Sequence, residues 1–349
     1  MSNGYIPVLH HSNCKELFIH IKLKRGMQNK TPYRFLVIRW SGMGDVVMTL
    51  PALKWLKDRF KGSYICYLTD CAFAGIPARS GLVQRVETID RRGFKSNRRL
   101  LPAALQAMRV VAKLRRSRFH GVFDLQGFGE TSLIAYFTGA PFRVGRVKGS
   151  PLRRRVYTAP IQADWEKEHR SDYFLNAVVG AFGYPAGQAA VPYRLPLLRT
   201  VGCCDRIGIN IGASTESRRW SEENFFDLAQ RLSRRGYGIR FFLGPQEAFL
   251  ESAVKDRCAA QRWEFLLHRK VDSLIDALAD CRLLVSNDTG PGHLAAAIGI
   301  PVVTLFSTGS PENVRPLAPR GKWLRNRTDI NRIGVPEVEA ACLQLLEGA

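Results

Sequence analysis

Apolar residues run unbroken at 35–40 (FLVIRW) and then recur every three or four positions at Val46, Val47, Leu50, Leu53, Leu56 and Phe60. The first pattern predicts a strand buried on both faces, the second a helix over 44–60. Pro51 falls on or near its first turns, or kinks it. The alternation continues. Strands are predicted at 64–69, 85–89 and 119–125, and helices at 98–116 and 171–182. Residues 1–33 are polar and show no period, so they read as an N-terminal extension. A Pro/Gly-rich stretch at 183–196 reads as a linker. A second series follows, with strands at 206–211, 238–243, 283–286 and 301–305 and helices at 246–260, 272–280 and 290–298. Ser221, followed by Glu222 and Glu223, has the form of a helix N-cap with acids in the first turn. This alternation predicts an α/β chain of two doubly wound, Rossmann-like domains facing a central cleft. The domains are placed at 34–185 and 205–349, joined by a linker at 186–204.

Composition narrows the class. The 349 residues, 46% hydrophobic and 23% charged, suit a globular protein with ample core. No run of eighteen apolar residues predicts a membrane-spanning helix, and the first thirty residues carry no signal-peptide pattern. The eight cysteines include no Cys-x-x-Cys pair. They read as small core residues kept reduced in a cytoplasmic protein. Net charge is +22 and unevenly spread. Residues 1–199 carry 33 Lys+Arg against 12 Asp+Glu, while residues 200–349 carry 19 against 18. One half is expected to meet a polyanion: nucleic acid, an anionic membrane surface or a phosphorylated glycolipid.

Three stretches carry candidate chemistry. At 41–53 (SGMGDVVMTLPAL), a buried strand opens into a glycine turn and a helix whose first turn holds Asp45. Gly42 and Gly44 let backbone pass where a Cβ would clash, and free amides at the helix start favour an anion. At 285–301 (VSNDTGPGHLAAAIGIP), Asp288 or Thr289 would cap a helix with Gly290 and Gly292 in its first turn and His293 one turn in. Such amides suit a nucleotide diphosphate; the plain alternative is a capped helix with a buried structural histidine. At 212–220 (GASTESRRW), Arg218 and Arg219 offer guanidinium forks for phosphate oxygens, or else line a solvated loop anchored by Trp220. A weaker fourth stretch, 243–247 (LGPQE), is a strand-to-helix turn with a first-turn acid, Glu247. No P-loop, zinc-type spacing or Asp-x-Asp pair occurs. Charge neutralisation would fall to arginines and a helix N-terminus.

Taken in order, these segments resemble glycosyltransferase family 9, the ADP-heptose:lipopolysaccharide heptosyltransferases. The likeness runs over 35–310. It implies a GT-B fold with an N-terminal acceptor domain, a C-terminal donor domain, and inversion at the anomeric carbon. It implies that Asp45 is the catalytic base. It implies that Ser214, Arg218, Arg219, Glu247, Asp288, Thr289, Gly290 and His293 bind the donor. Arg218 stands where most members have a lysine, so either Arg218 or Arg219 meets the diphosphate. The 33-residue extension lies outside the family's usual start, and the first motif is more like the type acting on 3-deoxy-D-manno-octulosonic acid.

The expected donor is ADP-L-glycero-D-manno-heptose and the expected acceptor the anionic inner core of lipopolysaccharide. That acceptor is either 3-deoxy-D-manno-octulosonic acid or a first heptose. No cofactor and no metal site are expected, which leaves room for weak stimulation by a divalent cation. Gly44, Arg143, Arg146, Arg153, Arg154 and Arg155 are the expected phosphate and acceptor contacts. The stretch 143–155 holds six cations and no acid. It is expected to grip the acceptor and rest the enzyme on the cytoplasmic face of the inner membrane. Two rivals are a basic nucleic-acid-binding protein and a GT-B sugar-nucleotide epimerase.

Overall fold

The computed structural model describes residues 32–90, 100–147, 151–161, 163–185, 187–196, 204–213 and 215–347. The N-terminal extension up to residue 31, residues 186 and 197–203 of the expected linker, Lys148 and Ser214 lie outside them. Two six-stranded sheets form. The first runs β3-β2-β1-β4-β5-β6 and comprises Arg34–Ile38, Tyr64–Asp70, Arg85–Ile89, Gly121–Asp124, Phe142–Gly145 and Ala159–Pro160, numbered β1 to β6 in chain order. The second runs β12-β11-β10-β7-β8-β9, with β7 to β12 at Arg206–Asn210, Gly238–Leu243, Glu264–Leu267, Leu283–Asn287, Val302–Phe306 and Gly321–Arg325. The pairings in both sheets are parallel.

Both sheets share one topology. Strand order reverses between β1 and β4 in the first and between β7 and β10 in the second. Ligands of open α/β sheets sit outside the carboxyl ends of strands at such reversals. The register there sets Ile38 beside Asp124, and Asn210 beside Ser286.

Several expected elements are realised with altered ends. The helix expected over 44–60 is two, Met43–Met48 and Leu50–Arg59. Pro51 has no N–H to continue the first, and Thr49 turns the chain, its hydroxyl donating to the Val46 carbonyl at 2.7 Å. The helix expected over 246–260 opens as a 3-10 segment, Pro245–Leu250, before Glu251–Gln261. The basic stretch 143–155, given no element from sequence, holds most of β5 and a short helix, Pro151–Val156.

Core residues link the two halves. One apolar cluster joins Phe35, Val46 and Leu53 of the first domain to Phe242, Leu274 and Leu294 of the second. Among the described residues the free cysteines Cys66, Cys258, Cys281 and Cys342 are buried as core residues, but Cys204 is half-buried and Cys71 exposed; burial pushes the Cys66 thiol up to about 12. Among the described residues no helix is long and apolar enough to cross a membrane.

Candidate active site

The glycine turn after β1 is built for its shape. Gly42 has φ 81°, a left-handed conformation costly for other residues. A Cβ there would also sit 2.5 Å from Asp45 Oδ2, so the carboxylate lies over Gly42. Arg39, inside the otherwise apolar run, is buried and forms an ion pair with Asp45 through Nη2. Its Nη1 donates to the Leu125 carbonyl at 2.8 Å, and its guanidinium carbon lies 5.0 Å from the Phe174 ring centre. Gln126 accepts from the Trp40 and Ser41 amides at 3.2 and 3.1 Å, tying the loop to the end of β4. The sequence reading missed both partners. A lone charge in a buried strand was the signal for Arg39, because buried charges are rarely left unpaired.

Across the cleft, the helix Gly290–Ile298 starts without a side-chain cap. The Thr289 hydroxyl instead accepts from Asn210 Nδ2 at 3.0 Å and pairs with Ser286 at 3.1 Å. Asn287 donates to the Ile211 and Gly212 carbonyls at 3.2 Å each and accepts from the Trp220 amide at 3.1 Å. This network joins the loop after β7 to that after β10 at the strand reversal. Asp288 is mostly buried, with Arg218 Nη1 3.9 Å away. Burial pushes its carboxyl up to about 6, and Arg218 opposes the rise. Glu247 is buried against Gly212 and Gly244, and burial raises its pKa, with Arg219 among the opposing groups. The Arg219 guanidinium lies 5.3 Å from the Phe249 ring centre, and its buried Nε has no hydrogen-bond partner among the described residues. The two arginines therefore divide the site, Arg218 toward Asp288 and Arg219 toward Glu247.

The two motifs interlock. A Cβ on Gly44 would lie 2.7 Å from His293 Cδ2, and one on Gly290 would lie 2.6 Å from Met43 Cβ. The helices Met43–Met48 and Gly290–Ile298 thus meet face to face, through glycines on both. His293 is buried in that contact, and burial drives it down to about 3. It is a neutral packing residue there. The cavity beside it, lined by Val47, Met48, His293 and Ala297 among others, holds about 20 Å³, room for roughly one water. His169 crosses the same cleft: its Nδ1 accepts from the Ser171 amide, so Nε2–H donates to the Arg315 carbonyl at 3.0 Å.

The expected acceptor arginines separate. Arg146 lies beside Gly127, with its guanidinium 5.1 Å from the Trp165 ring centre. Arg170, which sequence reasoning missed, covers the same ring at 3.8 Å and feels the charges of Asp45 and Arg146. Arg143 spends its guanidinium on the Val156 and Ala140 carbonyls at 2.7 and 2.5 Å. Arg154 and Arg155 are exposed, on the short helix that begins at Pro151 and also carries Arg153.

Comparison with known proteins agrees with this architecture. Residues 107–333 match the model of glycosyltransferase family 9 (heptosyltransferase), a span that leaves out the Asp45 motif. Lipopolysaccharide heptosyltransferase 1 of Pseudomonas aeruginosa is 26% identical over 284 residues, 80% of this chain and 79% of that protein. Lipopolysaccharide heptosyltransferase 2 of Escherichia coli K12 is 24% identical over 333 residues, 86% and 90%. Among solved structures, E. coli heptosyltransferase WaaC with ADP superposes with a TM-score of 0.79 at 21% identity, covering 89% of this chain and 99% of that one. E. coli ADP-heptose lps heptosyltransferase II gives 0.75 at 21%, covering 90% and 100%. The fold is therefore GT-B, and the chain belongs to glycosyltransferase family 9, the heptosyltransferases.

Proposed function

We propose that this enzyme moves a heptose from ADP-L-glycero-D-manno-heptose to 3-deoxy-D-manno-octulosonic acid of the lipopolysaccharide inner core, with inversion. The observation that carries the reading is the placement of Asp45 opposite the uncapped start of the Gly290–Ile298 helix, with arginines on both sides. A relative solved with ADP-2-deoxy-2-fluoro heptose supports the donor, and type 1 heptosyltransferases among the relatives support the acceptor.

In this mechanism Asp45 accepts the proton of the acceptor hydroxyl as its oxygen bonds to the anomeric carbon. The bond from that carbon to the diphosphate oxygen breaks, and ADP leaves with the electron pair. Arg39 fixes the Asp45 carboxylate. Arg218 or Arg219 and the Gly290 amide take up charge on the departing diphosphate. This assigns charge neutralisation to the chain without a metal, so turnover is expected to survive EDTA. In this reading Glu247 contacts the donor, and Arg146 with the exposed Arg154 and Arg155 meets the acceptor. The enzyme would work in the cytoplasm, at the inner membrane's cytoplasmic face.

The test is product analysis with labelled ADP-heptose and two acceptors, one ending in 3-deoxy-D-manno-octulosonic acid and one already carrying a heptose. Transfer to the first alone supports the reading. Transfer to the second alone makes the enzyme type 2. Alteration of the sugar with no acceptor present makes it an epimerase. A steeply salt-dependent affinity for nucleic acid, with no transfer, would favour the nucleic-acid reading.

A further inference from the structure

The helix Gly129–Phe137 is apolar on its outer face as well as on its inner one, where Ile134 and Ala135 are buried. Its hydroxyl residues Thr131 and Ser132 are buried, while Leu133, Tyr136 and Phe137 are 49%, 50% and 48% exposed. Phe128, just before it, is 43% exposed. On the helix Leu100–Arg116, whose Arg115 reaches the Phe137 carbonyl at 3.4 Å, Leu105 and Met108 are 42% and 58% exposed. Monomeric soluble proteins seldom display large apolar side chains in such a group, and contiguous patches mark contact surfaces.

The surroundings are cationic. Arg109, Arg115, Arg116 and Arg118 are exposed along the neighbouring helix and its end, and Arg154 and Arg155 on the Pro151–Val156 helix, which packs on Gly129–Phe137. The Arg143 guanidinium lies 5.8 Å from the Tyr136 ring centre. Between residues 100 and 161 the only acids are Asp124 and Glu130, and Asp124 is wholly buried. An apolar face ringed by arginine is the arrangement of proteins that lie in the headgroup region of anionic bilayers. Position adds a second argument. Phe128 follows Gln126 by two residues, and Gln126 holds the Ser41 amide of the Asp45 loop. The apolar face thus starts at the rim of the cleft.

We propose that the exposed face of Gly129–Phe137, with Leu105, Met108 and Phe128, inserts shallowly into an anionic phospholipid bilayer, while the surrounding arginines bind headgroup phosphates. The proposal rests on the transferase reading for its purpose. Docking here sets the mouth of the cleft at the membrane surface, where a lipid-anchored acceptor presents its sugars. The acceptor then reaches Asp45 without leaving the bilayer.

The experiment is co-flotation of the full-length protein with vesicles of phosphatidylcholine alone or with phosphatidylglycerol. The chain is expected to float with the anionic vesicles. Leu133→Ser with Phe137→Ser should lower that partitioning roughly tenfold or more, since both side chains lose apolar burial. ADP affinity and transfer to a water-soluble acceptor should stay as in the wild type. As a second measurement, the indole introduced by Phe137→Trp should be quenched by brominated lipid beyond the quenching of the wild-type tryptophans. Equal flotation of the double variant and the wild type would overturn the proposal, as would an introduced indole that brominated lipid leaves unquenched. A wild-type dimer that the double variant abolishes, with vesicle binding intact, would give the face to a second copy instead. Failure of transfer with vesicle binding intact would remove the functional reading and leave the docking surface.

Discussion

Replacing Gly44 with alanine sets two effects against each other. Gly44 lies in the helix Met43–Met48, where alanine ordinarily gains about 0.5–1 kcal/mol over glycine. The new methyl, however, would stand 2.7, 3.1 and 3.2 Å from three atoms of the His293 ring. That ring is buried between two helices, and the cavity beside it, about 20 Å³, has room for roughly one water but not for the ring. Overpacking of this kind costs about 1–3 kcal/mol, more than the helix gains. The net expectation is destabilisation by about 1–2 kcal/mol, a fall of roughly 1–3 °C in melting midpoint. Restoring ordinary contact needs a shift of about half an ångström or more in the helix that carries Asp45. Displacements of about 1 Å near reacting atoms cost about a hundredfold, so turnover should fall about tenfold or more. ADP affinity should change less. Thermal melts and initial rates read both quantities. A raised midpoint with unchanged turnover would refute the reasoning, because propensity alone would then have decided the outcome. Gly44→Ala in a His293→Ala background removes the clash, so a double-mutant cycle should return favourable coupling of about 1 kcal/mol or more. Strict additivity would mean that the two residues do not touch.

Asp45→Ala should fold, bind ADP and lose transfer by about two to four orders of magnitude, as expected for a general base; wild-type turnover would leave Asp45 only the partner of Arg39. Asp288→Ala should weaken ADP binding in calorimetry, whereas His293→Ala, which removes a packing residue, should lower the melting midpoint more than it lowers ADP affinity; unchanged ADP affinity in Asp288→Ala would move the donor elsewhere. Burial holds His293 at about 3 and His268 at about 4, so the stability they contribute is complete above about pH 6.5 and is lost on acidification. Asp288, raised to about 6, opposes this by taking up a proton in the folded state, which leaves a net loss of about 2–3 kcal/mol between pH 7 and 5; a melting midpoint that rises toward pH 5 would contradict this.

Where local signals agreed, the sequence was legible. The strands at 85–89 and 238–243 and the helix at 290–298 match the structure residue for residue, because period, flanking turns and residue type all point one way. Ser221 does cap its helix, accepting from the Asn224 amide at 3.3 Å. The strands β9 and β12 lie at sheet edges, where a half-polar run such as GKWLR carries no clean period. The glycines were legible as special but not as to why. Gly290 was read as freeing amides for phosphate, yet its missing side chain also makes room for Met43 of the other domain. No local pattern encodes that contact. His293 was weighed as a ligand contact against a packing histidine, and the structure sets it against Gly44. Arg39 was visible as a charge in a buried strand, but its partner was six residues on, beyond a turn whose shape only Gly42 decides.

The charge asymmetry needs the same separation of roles. A balance of +21 over residues 1–199 suggests one large field, but many of these cations already have partners. Arg39 pairs with Asp45, Arg34 donates to the Ser117 carbonyl at 2.7 Å, and Arg143 bonds two carbonyls. Lys113 is held by Glu87, and Arg79 by Asp272 and Asp276 of the other domain. Those contacts fix strands, loops and the domain contact. Among the described residues between 100 and 161, the arginines that face outward are a smaller set: Arg109, Arg115, Arg116, Arg118, Arg154 and Arg155. Each contributes about 1 kcal/mol near an anionic surface, and salt screens it within about 10 Å. Attraction from this set alone would fade at high salt, whereas apolar insertion would not. Binding of anionic vesicles should therefore fall with salt to a residual level, and the Leu133→Ser and Phe137→Ser changes should remove that remainder. A titration that falls to zero in the wild type would assign all of the attraction to the arginines and none to the face between them.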